Sequence, residues 1–439
     1  MLRLLRKVMP QGVLQGYHYV LARAAALKYQ NPSQDLIVIG VTGTNGKSTT
    51  VNFIAQLLTE LGETVGYTST AGFSVAGSYV ENKMKMTMPG RFALQDLLAK
   101  MRDAKCGFAI VETSSQGLAQ YRHLGINYDV AVFTNLTPEH LEAHGGFEAY
   151  KKAKGLLFAH LTKRSRKFLR SKTMPKIAVL NADDEHARYY AGFPADVHAW
   201  FGFGENKGGY SAQVLKEDPA GADVTINDIP TRLPLAAQFE RKNALAAIAT
   251  VAALGFPLSD VVFAAQSLKS VAGRFEKIDA GQPFTVVVDY AYEPYALEAL
   301  FASVAPLEPK RILGIHGSAG GGRDIARRPE IGRVAALHEA ITVITNEDPY
   351  DDNPQEIMEA VAEGARAQGK KDQEDLFIIE DRQQAIDFVI AKAQPGDVVV
   401  ITGKGSEPVM ALARGELKPW DDRKAARQAL AKAGYGTMA

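Results

Sequence analysis

Apolar residues along the chain gather in two ways. Short Val- and Ile-rich runs at 36–41, 108–111, 128–133 and 177–180 predict strands covered on both faces, because a half-exposed strand would alternate. After the first run, Val51, Phe53, Ile54, Leu57 and Leu58 recur at helical spacing, and further helices are expected over 92–101 and 147–161. Residues 63–90, rich in Gly, Ser, Thr and Met, read as strands and loops, and the short alternations over 200–235 predict a peripheral β region. Helices are expected over 239–254 and 258–268. From Phe284 the stretches FTVVVD, RILGIHG, AITVIT, LFIIE and DVVVITG alternate with helical segments. Such alternation means βαβ units. The class is α/β with mostly parallel sheets. Because 439 residues exceed what one core holds, the chain divides into a helical segment 1–34, a central unit 35–276 and a second unit 277–439.

Near the start, Leu14, Tyr17, Val20, Leu21, Ala24 and Leu27 share one helical face. The expectation is a helix packing that face on the body; Arg3, Arg6 and Lys7 leave a membrane-surface helix as the alternative. Gln11, Gln15, His18 and Arg23 break the apolar centre that a signal peptide needs, and no run reaches the roughly 18–20 residues of a membrane span.

The first apolar run leads into Thr42-Gly43-Thr44-Asn45-Gly46-Lys47-Ser48-Thr49 and then into the predicted helix. In a strand, glycine loop, helix arrangement, backbone N–H groups turn toward phosphate oxygens and the helix start adds a positive end. Lys47 supplies a point charge, and the Ser48 hydroxyl can reach Mg²⁺. A nucleoside triphosphate is the expected guest. The loop is a variant of GxxxxGK[ST], since Val41 stands five positions before Gly46. Glu112 follows the run at 108–111, at the strand end where open α/β sheets bind ligands; it can hold Mg²⁺ or cap a helix. His140 and His144, four apart, can share a metal or serve as capping or surface residues. Lys151, Lys152 and Lys154 read on their own as a solvated face, and 163–172 as a solvated basic loop.

Fifty Lys+Arg against 49 Asp+Glu give a formal net charge of +1, so overall charge gives no reason to expect nucleic acid. Phosphate chemistry must come from local sites. The single cysteine, Cys106, excludes an intramolecular disulfide and a multi-cysteine zinc site; it reads as a core residue in a reducing compartment.

In chain order, TGTNGKST from Thr42, ETSSQGL from Glu112, FTNLTPEHLEAHG from Phe133, YKKAKGLLF from Tyr150, LNADDE from Leu180, AGRFE from Ala272, VVVDYAYEP from Val286, GGRDIARRP from Gly321 and GKGSEP from Gly403 together resemble the Mur ligases. The likeness is to the MurE type, which adds the third residue of the stem peptide in cytoplasmic synthesis of cell-wall precursors. It implies a central phosphate-loop ATPase domain and a C-terminal Rossmann-like domain, with ATP and Mg²⁺ as cofactors. By resemblance, Gly43, Thr44, Asn45, Gly46, Lys47, Ser48 and Thr49 would bind ATP, Asn243 would face the adenine, Arg274 would cross to the phosphates and Asp289 would contact the nucleotide. Ser48 and Glu112 would hold one Mg²⁺ and His140 a second. Lys154 would carry a CO₂-derived carbamate, an anion able to approach the metal. Catalysis would rest on Lys47, Glu112, His140, Lys154 and Arg274. Ser114, Ser115, Arg323, Asp324, Asp348, Tyr350, Gly403 and Glu407 would hold a muramyl-peptide-like acceptor and an amino acid. The implied reaction passes the γ-phosphoryl group to a substrate carboxylate, and the amine of the amino acid then displaces phosphate. The implied protein is a cytoplasmic monomer, without a transmembrane segment or nucleic-acid partner, and with at most weak peripheral membrane contact through its first helix.

Several positions depart from the family pattern. About 34 residues precede the first ATPase strand, where MurE-type enzymes carry a UDP-gripping domain of roughly a hundred residues, so that grip is expected to be missing or rebuilt. Gln116, Tyr292 and Ser406 stand where histidines are usual, and Glu240 where asparagine is. Tyr350 replaces the arginine that pairs with the distal carboxylate of diaminopimelate. With Glu347, Asp348, Asp351 and Asp352 around it, a basic amino acid such as lysine or ornithine is the expected substrate. The rival readings are a ligase for a non-UDP acceptor of folate or poly-γ-glutamate type, a phosphate-loop switch or motor, and a non-catalytic regulatory subunit. No guanine-reading NKxD motif is present, and retention of Lys47, Glu112, His140 and Lys154 counts against a regulatory subunit.

Overall fold

The computed structural model describes residues 11–436 apart from Lys83, Lys85, His140, residues 205–208 and Arg323. The first apolar run becomes strand Ile37–Thr42, buried throughout, near the middle of an eleven-stranded sheet. Across that sheet the order is Ile229–Leu233, Gly221–Ile226, Tyr210–Asp218, Val197–Phe203, Ile177–Asn181, Val130–Phe133, Ile37–Thr42, Phe108–Glu112, Val65–Thr68, Gly72–Val75 and Ser78–Glu81. The strands from Tyr210–Asp218 to Val65–Thr68 pair in parallel, and antiparallel hairpins close both edges. Ile37, Ile39 and Val41 join one core with helices Lys47–Glu60 and Gln238–Ala253. Leu36 and Val38 join the opposite one with Arg91–Asp103 and Phe147–Leu161. Two-sided burial is why this strand is apolar at successive positions.

A second sheet has the order Glu276–Ile278, Thr285–Val288, Val398–Ile401, Ile312–His316, Ile341–Ile344 and Leu376–Ile378, parallel except at its first pair. Helices cover both its faces. At the junction Gly273 has φ 65°, and a Cβ there would overlap the backbone of Ser406. Only glycine fits both the left-handed backbone and the close approach of the 403–408 loop.

Two expectations about the surface are corrected. Helix Gln11–Lys28 does pack on helix Arg91–Asp103, but the residues it buries are His18, Ala22, Ala25 and Ala26; of the expected face Leu14 and Leu21 are half-buried, and Tyr17, Val20 and Leu27 point outward at 43, 63 and 68% exposure. Small side chains permit the closer approach, and a Cβ on Gly125 would lie 3.0 Å from both Ala22 O and Ala26 Cβ. The basic loop at 163–172 is not wholly solvated. Lys167 is buried in an ion pair with Asp129 and donates to Ser33 O (2.9 Å) and Asn127 O (2.9 Å), while Lys176 reaches the same carboxylate at 3.5 Å. Cys106 is buried as expected. Among the described residues no helix is long and apolar enough to cross a membrane.

Candidate active site

The glycine loop lies between strand Ile37–Thr42 and helix Lys47–Glu60, whose N-cap is Gly46 at φ 79°. A Cβ on Gly46 would overlap Asn243 Oδ1, so the left-handed turn also brings the helix Gln238–Ala253 against the loop. From the other side, the Thr44 N–H donates to Asn135 O and the Asn45 N–H to Asn135 Oδ1, both at 2.8 Å, and the Thr134 hydroxyl donates to Asn45 O at 2.7 Å. A loop braced in this way leaves the first-turn amides of Lys47, Ser48 and Thr49 for an anion.

Five side chains, Ser48, Glu112, Thr70, Lys47 and Lys154, converge at the loop. Ser48 Oγ donates to Glu112 Oε2 at 2.7 Å, and Thr70 donates to the same carboxylate through its N–H (2.7 Å) and hydroxyl (3.0 Å). Lys47 donates to Gly43 O (3.1 Å) and Thr44 O (2.7 Å), and burial lowers its pKa. Lys154, whose motif reads locally as a solvated face, is 1% exposed; its ammonium donates to Gly43 O at 2.8 Å and sits 4.0 Å from the centroid of the Tyr150 ring. Burial, and then the charge of Lys47, hold its pKa well below the usual lysine range. Ser48 and Glu112 are oxygen donors, as a hard cation such as Mg²⁺ requires. Among the described residues no cluster of three His, Cys, Asp or Glu side chains could hold a metal, so phosphate oxygens and water would complete such a site. His140 lies outside the described residues. His144 places Nε2 at 3.1 Å from Ser115 Oγ.

Lys47, Ser48 and Glu112 line one chamber with Arg274, whose guanidinium stacks 4.2 Å from the centroid of the Tyr290 ring. Asp289 braces the junction: its oxygens accept the N–H groups of Phe275 and Ala291, each at 2.7 Å. Thr70, Thr87, Tyr290 and Tyr292 form a wall shared with a second chamber, which Arg327, Glu347, Asp348, Tyr350 and Glu407 line on the far side. The fully buried Lys404 donates to both oxygens of Asp348 (2.9 and 3.0 Å) and to Glu407 Oε2 (2.6 Å); Tyr290 donates to Glu407 Oε1 at 2.8 Å. Gly403, at φ 102°, lets Glu347 come close, since a Cβ there would lie 2.5 Å from Glu347 Oε2. Burial raises the Glu347 pKa, and Asp348 raises it further.

The four acids of this loop therefore differ in role. Asp348 pairs with Lys404, Asp351 accepts the Arg414 N–H (2.7 Å) and Asp352 the Gly321 N–H (3.1 Å), and Glu347 and Asp348 are the two of the four that line the chamber. Ser114 caps helix Ser115–Ala119 by accepting the Gly117 N–H at 3.1 Å. Neither chamber wall includes Ser114, Ser115 or Asp324, and Arg323 lies outside the described residues. Sequence reasoning missed Thr70, Thr87, Tyr290, Arg327 and Lys404. The last three lie inside quoted motifs, whereas the threonines carry no local signal.

A model of the Mur ligase middle domain matches residues 41–251, and one of the Mur ligase, glutamate ligase domain matches residues 273–405. The UDP-N-acetylmuramyl-tripeptide synthetase of Roseiflexus sp. (strain RS-1) is 36% identical over 436 residues, covering 95% of this chain and 82% of the relative. The UDP-N-acetylmuramoyl-L-alanyl-D-glutamate–2,6-diaminopimelate ligase of Geobacillus kaustophilus is 36% identical over 411 residues, covering 92% and 81%. A solved structure of a ligase of that second name superposes with a TM-score of 0.59 at 29% identity, over 91% of this chain and 79% of the other.

Proposed function

The chain belongs to the Mur ligase family of ATP-dependent, amide-forming ligases, and from that premise we propose that it is a MurE-type enzyme adding one basic amino acid to a cytoplasmic muramyl-peptide acceptor. The observation that carries the reading is the shared wall. A phosphate loop with Lys47, Ser48, Glu112 and Arg274 opens on one side, and a chamber holding carboxylates and a guanidinium opens on the other.

An acceptor carboxylate at the wall attacks the γ-phosphorus; ADP leaves and an acyl phosphate forms. Lys47 and Arg274 offset the charge on the transferring group. Ser48 and Glu112 would hold Mg²⁺, which would supply further neutralisation of that charge. The neutral amine of the amino acid then adds to the acyl carbon, its nitrogen gives up one proton to solvent, and phosphate departs with the C–O electron pair, leaving the amide. The depressed pKa of Lys154 supports its modification, since only a neutral amine adds to CO₂; loss of its proton completes the carbamate. In the amino-acid chamber Arg327 is the one guanidinium on the wall among the described residues, enough for an α-carboxylate, and Glu347 offers a partner for a side-chain ammonium. Tyr350 cannot clamp a second carboxylate by charge.

Acceptor with ¹⁸O in its carboxylate tests the route. One labelled oxygen must appear in the released phosphate; unlabelled phosphate alongside amide product contradicts the acyl phosphate.

A further inference from the structure

Helix Gln11–Lys28 is inverted relative to an ordinary surface helix. Its small residues Ala22, Ala25 and Ala26 face inward, and Val13, Tyr17, Val20 and Leu27, at 57, 43, 63 and 68% exposure, face out with Ala24 between them. These five positions follow spacings of four, three, four and three, which gather them into one straight stripe. A helix turning its larger apolar side chains to water in a continuous stripe marks an interaction surface.

Charge identifies what covers it. The sequence carries no acidic residue before Asp35, whereas Arg3, Arg6, Lys7, Arg23 and Lys28 precede it. By helical geometry Arg23 and Lys28, both exposed, fall on opposite flanks of the stripe. Arg164 adds a further cation beside Arg23, and the half-exposed Phe92 extends the apolar surface beside Lys28. The acids on the helix beneath, Asp96 and Asp103, are paired with Lys100 and Arg102.

We propose that this stripe docks the enzyme on an anionic lipid surface. The apolar side chains and the tyrosine enter the headgroup boundary, and the flanking cations meet lipid phosphates. A second copy is a poorer occupant. In a self-paired seam Arg23 and Lys28 would take the flanking positions that set pairing, where they meet only cations, and the stripe covers about two of the three to four heptads a coiled coil needs. The proposal is independent of the ligase reading.

The test is co-sedimentation of the full chain with vesicles of phosphatidylcholine alone and of phosphatidylcholine with phosphatidylglycerol, at low and high salt. The expected result is binding to the anionic vesicles only, released by salt. In the Val20→Glu, Leu27→Glu double variant and in Arg23→Glu, binding should fall roughly tenfold or more, with circular dichroism and ATP-dependent phosphate release in solution unchanged. No binding at low salt, equal binding to both vesicles, or undiminished binding by the double variant overturns the proposal. So does concentration-dependent self-association that the double variant abolishes, which would make a second copy the occupant.

Discussion

Asn45 of the glycine loop donates through Nδ2 to Glu293 Oε1 at 2.8 Å, so one carboxylate joins the loop after strand Ile37–Thr42 of the first sheet to a helix of the second. Glu293 is also the N-cap of helix Pro294–Val304, accepting the N–H groups of Tyr295 (3.0 Å) and Ala296 (2.8 Å). Glu293→Ala removes cap and bridge together. It should destabilise the protein by about 1–2 kcal/mol and weaken nucleotide binding, whereas Glu293→Gln, still an acceptor, should retain most of both. Urea denaturation and nucleotide titration of the two variants check this; equal losses in both would show that charge, not acceptance, is what the site needs.

Glu240 gives a pH dependence. It is fully buried in helix Gln238–Ala253 with the Ser270 hydroxyl alongside, its oxygens make no well-aligned hydrogen bond, and burial pushes its pKa up to about 8. An unfolded glutamate titrates near 4.3. Between those values the native state holds a proton that the unfolded chain has lost. The contribution of Glu240 is therefore fully present below about pH 4.3 and is lost as pH rises through about 8, at about 1.4 kcal/mol per pH unit at most. Glu240→Gln should remove this decline and gain a few kcal/mol over the wild type at alkaline pH. Urea midpoints at acid and alkaline pH measure it; parallel pH profiles would contradict it.

How far the chain can be read without its structure depends on whether a feature is local. The strand, glycine turn and helix around Lys47 were legible because the turn, the lysine and the helix start are consecutive residues. Periodicity correctly grouped Tyr17, Val20, Ala24 and Leu27 on one face, yet it assigned that face inward, because it carries no information on whether alanines elsewhere on the helix allow a closer approach. Lys167 read as solvated since its partner Asp129 and the acceptors Ser33 and Asn127 are remote in sequence. The acid-rich loop read as one anionic patch for the same reason: Lys404 and the Arg414 amide, which occupy Asp348 and Asp351, arrive from beyond residue 400.

Lys154→Ala should reduce ligase turnover by roughly a hundredfold or more, and short-chain carboxylic acids should restore part of it by returning a carboxylate to the site. Phosphate release with and without such acids is the measurement. Full activity in the variant would remove this lysine from the reaction, and a loss without rescue would leave it a packing role over Tyr150.

Lys47→Ala should abolish ATP-dependent phosphate release, a loss of roughly 10²–10³ or more, while the protein stays folded. Its ammonium is held by the carbonyls of Gly43 and Thr44 at the pocket rather than by core side chains. Circular dichroism and a phosphate assay separate the two effects. Unchanged turnover would contradict the placement of the triphosphate at this loop.

On the proposed reading the two chambers together make one amide bond, and Glu347 and Arg327 select an amino acid that has one carboxylate and a cationic side chain. Mass spectrometry of products from ATP, Mg²⁺, a UDP-muramoyl dipeptide and equal lysine, ornithine and meso-diaminopimelate tests it directly. The predicted result is an acceptor heavier by one lysine or ornithine residue, with one ADP and one phosphate per product. A product carrying mainly diaminopimelate would contradict the specificity, and ATP turnover without any amide product would contradict the account as a whole.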